Sequence, residues 1–301
     1  MSTYNGEKYL AEQLDSILAQ ECVHVELFVR DDGSTDSTKD ILREYASSHK
    51  NIHLIFGENI GWRASFVTEL GLASGYEFYS FSDQDDFWEK DKLSSAVMLI
   101  KQARQVKSKN FPILYYSNNN ISDSKLRFIR KTKLDKRVRS LESVLIRMSV
   151  PGCFMVMNDK LRELIISRPA TDEIFIRGHD TAAMILTYIF GGSVVFDTNA
   201  HMFYRQHENN TVGTPNGIIS RIKKEFTDML RYKGMEAVIA KAMLRAYGER
   251  ITPQARDTLE TVAGYREHMF SRLSIVFSPK FRTGDWRLTI FGKFKALLGL
   301  L

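Results

Sequence analysis

Three carboxylates stand within four consecutive positions of this chain. Asp83, Asp85 and Asp86 follow an alternating aromatic run, 76–81, which predicts a β-strand that ends where the acids begin. Anions held this close repel one another unless a cation lies among them. Carboxylate oxygens at this density are ligands for magnesium, manganese or calcium. A solvated acidic turn is the alternative, but the aromatic strand and Trp88 on either side indicate the edge of a core.

Strand and helix patterns alternate ahead of these acids. Strands are predicted at 23–30, 51–56 and 77–82, and helices at 7–20, 37–45 and 61–73. This alternation is typical of β-α-β units, which build a mostly parallel sheet covered by helices. We therefore expect an α/β fold, whose ligands bind outside the carboxyl ends of the strands.

Polar clusters follow each of these predicted strands. Asp31 and Asp32 follow the first, the segment Asn59–Gly61 follows the second, and the three acids follow the third. Because parallel strands share one carboxyl edge, we expect the clusters to converge there as a nucleotide pocket with a metal ion. Taken alone, the Asp31–Ser34 stretch is more often a turn and helix N-cap than a ligand site.

Composition narrows the class of protein. The chain has 301 residues, of which 44% are apolar and 26% charged, so a packed globular core is expected. The net charge is +6, and the stretch 125–139 holds eight Lys or Arg against one acid. Such patches favour polyanions, including nucleic acid, anionic lipid or a pyrophosphate. A nucleic-acid groove is disfavoured because Phe128 is the only aromatic residue in that stretch.

Cysteine content and hydropathy bear on the compartment. Cys22 and Cys153 give neither a metal spacing nor a disulfide framework, so a reducing compartment is expected. No apolar stretch approaches the roughly 18 residues that span a bilayer, and no signal peptide is found. We expect a cytoplasmic protein, with peripheral contact on the inner face of the cell membrane as a hypothesis.

The second half is mixed in pattern. Helices are predicted at 90–107, 141–148 and 181–190, strands at 112–117, 153–157 and 193–196, and an irregular basic connection at 121–139. The stretch 204–213 is rich in side chains that bind anions and metals. From about residue 218 the pattern is wholly helical.

Several ordered motifs carry a family resemblance. They are Ser-Thr-Tyr-Asn-Gly (2–6), Asp-Asp-Gly-Ser-Thr-Asp (31–36), Asn-Ile-Gly (59–61), Ser-Asp-Gln-Asp-Asp (82–86), Gly-His-Asp (178–180) and Tyr-Arg-Gln-His-Glu-Asn-Asn (204–210). In this order they resemble family 2 glycosyltransferases of the GT-A fold, and most of all the bacterial rhamnosyltransferase-like branch that builds cell-wall or capsular polysaccharide. The resemblance implies a GT-A catalytic domain at 1–213, Rossmann-like with a mostly parallel sheet, and leaves a C-terminal helical region at 214–301.

The resemblance implies a metal-dependent inverting transfer from a UDP- or dTDP-sugar to a saccharide, lipid-linked saccharide or glycan acceptor, with manganese or magnesium as cofactor. The implied nucleotide-binding residues are Thr3, Tyr4, Asp31, Asp32, Arg63 and Asp83. Asp85 is implied as the direct metal ligand, His207 as a metal or diphosphate ligand, and Arg205 as the cation that offsets leaving-group charge. Asp180 matches the general base.

The chemistry needs such groups independently of the resemblance. Charge develops on the departing diphosphate, which a divalent ion and an arginine stabilise. A sugar hydroxyl is a weak nucleophile, so a carboxylate must accept its proton. Asp180 could instead be a first-turn acid that complements the helix dipole, and His207 could be a core histidine. His179 is interpreted as an orienting neighbour and not as a second catalytic residue.

Two features depart from the family pattern. A hydrophobic strand normally precedes the Ser2–Asn5 segment, where this chain has only Met1; we expect either an incomplete first strand or a start internal to the natural gene. Trp62 and Arg63 stand where the family varies.

A catalytically inactive nucleotide-sugar-binding protein is the rival interpretation. The tail Phe291–Leu301 is hypothesised to meet the membrane surface through its apolar residues, Lys293 and Lys295.

Overall fold

The computed structural model describes residues 1–106, 110–135, 139–146, 150–208 and 233–301. Predictions for 209–232, including the end of the 204–213 motif, lie outside these residues. The chain forms two compact units. The first comprises Met1–Asp135, Val150–Thr171 and Ser193–His207, and the second comprises Lys136–Ser149, Asp172–Gly192 and Glu208–Leu301. This division differs from the expected boundary at residue 213, because the segment containing Asp180 groups with the C-terminal helices.

A three-stranded parallel sheet opens the first unit. Its strands are β1 (Ser2–Thr3), β2 (Leu27–Asp31) and β3 (Ile52–Phe56), in the order β1-β2-β3. The helices α1 (Leu10–Leu18), α2 (Thr38–Ser48) and α3 (Trp62–Leu72) follow these strands in turn. The apolar spacing of α1 has its expected result, since Leu10, Leu14 and Ile17 are all buried.

A mixed sheet completes the first unit. It contains β4 (Phe78–Ser80), β5 (Phe87–Trp88), β6 (Ile113–Ser122), β7 (Phe128–Lys131), β8 (Met155–Asn158) and β9 (Ser193–Arg205). The order is β4-β8-β6-β9-β5, with β7 paired to β6. Among the described strands of this sheet, only β6 and β9 run parallel to each other. The predicted α/β class is confirmed. The predicted mostly parallel pairing, however, holds for the first sheet and for this one pair of the second.

The core of this unit lies where the mixed sheet meets α4 (Lys92–Val106). Ala96 and Ile100 of α4 pack on Ile113, Tyr115 and Val156 of the sheet. The helix α6 (Asp159–Ile166) follows β8, and its first turn is capped by the Asn158 side chain, which accepts from the Leu161 amide at 3.2 Å.

A cavity of 380 Å³ also lies in the first unit. Its lining includes Leu27 and Phe28 from β2, and Phe78 from β4, which is an edge strand of the mixed sheet. The first strand is short: β1 pairs only with Arg30 and Asp31 of β2. The amino-terminal half of β2 extends past β1 and does not pair with it, and this half borders the cavity.

The second unit is helical. Its helices are α5 (Leu141–Ile146), α7 (His179–Ile189), α8 (Met235–Tyr247), α9 (Pro253–Gly264), α10 (Met269–Phe277) and α11 (Trp286–Leu297). Helix α11 packs closely on α5, where Gly292 lies so near Ile146 that an added Cβ would be 3.3 Å from its carbonyl oxygen. Among the helices described, none is both long and apolar enough to cross a bilayer.

Candidate active site

Asp31 fixes the loop that follows β2. Its carboxylate is fully buried and accepts from the Thr3 hydroxyl at 3.1 Å and from the Ser34 amide at 2.9 Å. The stretch does not cap α2, whose N-cap position is Ser37; the carboxylate of Asp36, one residue earlier, accepts from the Thr38 amide at 3.1 Å. Asp31 therefore ties the end of β1 to the turn after β2.

Asp32 ties the same loop to the one after β3. It accepts from the amides of Ile60 and Gly61, each at 2.9 Å, and forms a buried ion pair with Arg30. Gly61 has a φ of +82°, which favours glycine, and α3 begins immediately after it. No role for Arg30 was predicted from the sequence. Its spacing to Asp32 could have indicated the ion pair, because residues two apart in extended backbone share a face.

Gln84 joins the acidic loop to the first loop. Its side-chain oxygen accepts from the Tyr4 amide at 2.8 Å, and its nitrogen donates to the Tyr4 carbonyl at 3.0 Å. Gly6 leaves room for this contact, because an added Cβ there would stand 2.4 Å from the Gln84 oxygen. The loops that carry the polar clusters are thus linked, with a glutamine between the acids making one of the links. The prediction that they share one edge of one sheet is wrong, because β4, which precedes the acids, belongs to the mixed sheet.

The acids have an inner, buried side. Asp83, Asp86 and Cys153 offer ligand atoms that lie within 4.8 Å of one another. Lys92 is buried beside them, with its Nζ 3.6 Å from the centre of the Trp88 ring. Burial lowers the pKa of Lys92 to about 8, against the opposing effect of Cys153, Asp86 and Asp83. Because a protonated amine already offsets charge here, this side fits a divalent cation poorly.

Burial also shapes the protonation of the inner groups. Burial, together with the charges of Asp85 and Asp83, raises the pKa of Asp86 well above its usual value. Burial likewise raises the pKa of the Cys153 thiol. Both shifts favour the protonated forms, which are weak metal ligands, so they disfavour a metal ion on this side.

The outer side of the acidic loop carries a second donor pair. The Asp85 Oδ2 and the His207 Nε2 are 2.7 Å apart, and both side chains are partly exposed. Two donors at about 2.1 Å from one octahedral ion stand about 3 Å apart, so this pair fits manganese or magnesium. The His207 ring also packs on Tyr9, with ring centres 4.8 Å apart.

The guanidinium of Arg205 contacts the acidic loop. Its Nε donates to the Asp85 carbonyl at 2.7 Å, one terminal nitrogen donates to the Ser124 carbonyl at 2.8 Å, and the other pairs with Glu12. The guanidinium also stacks over Tyr9, 4.5 Å from the ring centre. Arg205 is almost wholly buried, so it lies behind the loop and not on its open side. Glu12 and Tyr9 carried no signal in the sequence that would have paired them with it.

Asp180 belongs to the second unit, in the first turn of α7. Its Oδ1 accepts from the Thr181 amide at 2.6 Å. Burial raises the pKa of Asp180 to about 6, opposed by the hydrogen bonds from Thr181 and by the charge of Arg177. Burial lowers the pKa of the adjacent His179 to about 3, so that imidazole is neutral at pH 7. Of the two, Asp180 has the protonation behaviour of a general base.

The remaining predicted residues lie in the first unit. Tyr4 is half exposed at the end of β1. Arg63 stands at the second position of α3, with its guanidinium over the Trp62 ring at 5.0 Å. Residues of the first unit thus gather around the loops after β1 to β4, and Asp180 is the predicted site residue in the second unit.

Comparison with known proteins gives a consistent result. Residues 1–165 match the family described as "Glycosyl transferase family 2". The "dTDP-rhamnosyl transferase RfbG" of Shigella flexneri is 31% identical over 229 residues, which is 71% of this chain and 73% of the relative. The "Putative teichuronic acid biosynthesis glycosyltransferase TuaG" of Bacillus subtilis is 28% identical over 217 residues, or 70% and 79% of the two chains.

Solved structures extend the comparison to the fold. S. aureus TarS 1–349, in a crystal structure with UDP-GlcNAc, superposes with a TM-score of 0.57 and 18% identity, covering 100% of this chain and 80% of that chain. A second TarS structure gives a TM-score of 0.56 over 99% of this chain. At such low identity the likeness concerns the fold alone, and it confirms the predicted GT-A architecture.

Proposed function

Because the chain belongs to glycosyltransferase family 2, we propose that it transfers a sugar from a nucleotide-diphosphate donor to a saccharide acceptor, with inversion and with the help of a divalent metal ion. One observation carries the proposal: the Asp85–His207 pair, 2.7 Å apart, lies on the open side of an acidic loop whose buried side is already compensated by Lys92. Within the part of the chain that the structure describes, that arrangement favours the open side of the loop as the place for a cation.

The donor is proposed to be a dTDP- or UDP-sugar. The 31% identical relative is named a dTDP-rhamnosyl transferase, which favours deoxythymidine diphosphate. Thr3, Asp31 and Asp32 support the base and ribose subsite by joining its loops, and the exposed ring of Tyr4 is suited to pack on a base. Arg63, at the start of α3, is proposed to meet the phosphates, where a cation and a helix N-terminus both favour an anion.

The acceptor is proposed to be a glycan or a lipid-linked saccharide of a bacterial surface polymer. The relative named for teichuronic acid biosynthesis supports this class. Asp180 is proposed as the base that accepts the proton of the attacking hydroxyl, since a carboxylate with a pKa of about 6 is ionised at pH 7 and still basic enough to take a proton. A single displacement of this kind inverts the anomeric centre.

Manganese or magnesium, held by Asp85 and His207, would stabilise the negative charge of the departing diphosphate. Arg205 is proposed to assist the same step. Its guanidinium hydrogen-bonds to the Asp85 carbonyl, so it can act through the position of Asp85 as well as through its charge.

Donor hydrolysis and transfer assays test the proposal. We expect turnover of dTDP- or UDP-sugars that requires manganese or magnesium, is lost with EDTA, and falls at least a hundredfold in Asp85→Asn, by analogy with the loss of one charge-stabilising group. Asp40→Asn removes an exposed carboxylate on α2 and should leave turnover unchanged. Turnover that persists in EDTA would contradict the metal requirement. Tight donor binding without turnover of any donor would favour the rival, an inactive nucleotide-sugar-binding protein.

A further inference from the structure

Helix α10 presents a large apolar stripe to solvent. Met269, Phe270, Leu273 and Phe277 fall within about 100° of one another on the helix, at 100° per residue. Phe270 is 84% exposed and Phe277 is 77% exposed. The opposite side of the helix is the one that packs inward, where Ile275 is buried. Large aromatic side chains at this exposure are unusual on a protein surface that faces only water.

Helix α11 carries a matching stripe. Trp286, Ile290, Phe294 and Leu297 again share one side, and Trp286 is 68% exposed. Gly292 and Ala296, on the other side of the helix, are buried. Apolar residues therefore line two opposite sides of α11, and the described residues bury only one of these sides.

The two helices form one surface. They pack on each other, and the Lys293 amine of α11 donates to the Ser278 carbonyl at the end of α10, at 2.9 Å. The connection between them is anchored by Phe281, which is buried. We refer to the exposed stripes of α10 and α11 together with their connection, 278–285, as the α10–α11 face.

Cations border this face. Residues 269–301 contain six Lys or Arg and one acid, Asp285, which gives 6 − 1 = +5 for the side chains. Lys280 and Arg282 are exposed in the connection, and Arg287 stacks on the Trp286 ring at 5.5 Å. The sequence hypothesis assigned the membrane contact to Lys293 and Lys295 instead. The structure uses those two internally, since Lys293 bonds to Ser278 and Lys295 is buried 3.9 Å from Glu236.

We propose that the α10–α11 face binds the surface of a membrane that contains anionic lipids. Aromatic side chains favour the boundary between headgroups and acyl chains, and exposed Lys and Arg beside them attract lipid phosphates. A second copy of the chain is a poorer occupant, because two faces that each expose Lys280, Arg282 and Arg287 would repel each other. The surface binds lipid independently of catalysis; that it would hold the enzyme near a lipid-linked acceptor rests on the proposed function.

Vesicle flotation of the full chain tests the proposal. The probes are phosphatidylcholine vesicles with and without phosphatidylglycerol. Phe270→Ser, Phe277→Ser and Trp286→Ser should each weaken binding about tenfold, since burying one such side chain contributes roughly 1.5–3 kcal/mol and 1.4 kcal/mol is a factor of ten. Leu72→Ser removes an exposed apolar residue at the end of α3 and should leave binding unchanged.

A charge variant tests the second part. Lys280→Gln and Arg282→Gln should each lower binding to phosphatidylglycerol vesicles about fivefold, from about 1 kcal/mol per cation near an anionic surface, and should leave binding to pure phosphatidylcholine unchanged. Raised salt should reproduce this selective loss.

Three results would overturn the proposal. One is equal flotation of the wild-type chain and a triple variant that combines Phe270→Ser, Phe277→Ser and Trp286→Ser. Another is no flotation of the wild-type chain with phosphatidylglycerol. The third is a dimer in light scattering that the triple variant turns into a monomer, which would make the face a self-association surface. Donor hydrolysis in vesicle-free buffer is expected to be the same in both proteins, so a failure of the proposed chemistry would be seen separately from a failure of lipid binding.

Discussion

Substitution of Arg205 by lysine separates two roles for this residue. If Arg205 acts only by placing positive charge near the diphosphate, lysine keeps that charge. If it acts by holding Asp85, the geometry of the guanidinium matters, because its three nitrogens reach the Asp85 carbonyl, the Ser124 carbonyl and Glu12. A lysine amine has one nitrogen and cannot reach three acceptors that lie in different directions.

The magnitude follows from the lost contacts. Hydrogen bonds that involve a charged group contribute about 1.5–3 kcal/mol each, and lysine can retain one of the three. Glu12 is half exposed and regains water when its partner is lost, so its share falls to that of a surface pair, about 0–1 kcal/mol. If lysine retains one carbonyl contact, we expect Arg205→Lys to lower the free energy of unfolding by about 1.5–4 kcal/mol.

Two assays measure the outcome. Urea unfolding followed by Trp fluorescence reports stability, and manganese titration of donor hydrolysis reports how well the Asp85–His207 pair binds the ion. We expect both to worsen in Arg205→Lys. Arg43→Lys, on an exposed arginine of α2, is the matched control and should change neither. An unchanged urea midpoint and manganese requirement, with only a slower transfer rate, would refute the positioning role and leave Arg205 as a contact of the leaving group.

Three further changes test other parts of the site. Gly6→Ala should displace Gln84 and raise the donor KM severalfold, whereas Gly71→Ala, where an added Cβ meets nothing within 4 Å, should not; equal KM values would show that the Gln84 link is dispensable. Asp180→Asn should abolish transfer but keep donor affinity, and wild-type kcat/KM should rise with pH through about 6 as Asp180 loses its proton; a pH-independent rate would exclude it as the base. The pKa of Lys92 is about 8 in the folded chain against 10.5 in the unfolded chain, so the unfolded chain binds more protons between these pH values. The free energy of unfolding of wild type relative to Lys92→Met should therefore rise by about 3 kcal/mol from pH 8 to 10.5, measured by urea unfolding. A difference that stays constant with pH would contradict the buried cation.

The sequence predicted the elements whose signal is local. The strands at 51–56 and 77–82 were predicted close to their observed bounds, because apolar periodicity is a property of neighbouring residues. The strand β7 was expected to be irregular, since all four of its residues are exposed and only its pairing with β6 defines it. The strand β9 extends nine residues beyond the predicted end at Phe196, held by long-range pairing with β6 and β5. The helix α6 was missed, although its cap at Asn158 was legible.

Within the site, residue types were predictable and their partners were not. Sheet geometry explains why the loops after β2 and β3 are neighbours, whereas the acidic loop follows a strand of the other sheet. The Asp85–His207 contact joins two residues that the family motifs had singled out. The division of the acids into a buried side and an open side depends on Lys92, which approaches from the next helix. No spacing along the chain encodes that approach, because it results from the packing of α4 under the acidic loop.

The backbone amide of Arg205 offers a native probe of this loop. It donates to the Asp86 carboxylate at 3.2 Å, at the end of a strand whose next residue, Gln206, donates to the Ser122 carbonyl at 2.9 Å. The protection of the Arg205 amide against deuterium exchange therefore depends on the acidic loop, whereas that of the Gln206 amide depends on the sheet. The ratio of their exchange rates therefore reports, with no dye attached to the protein, whether manganese or donor orders the loop that carries the three acids.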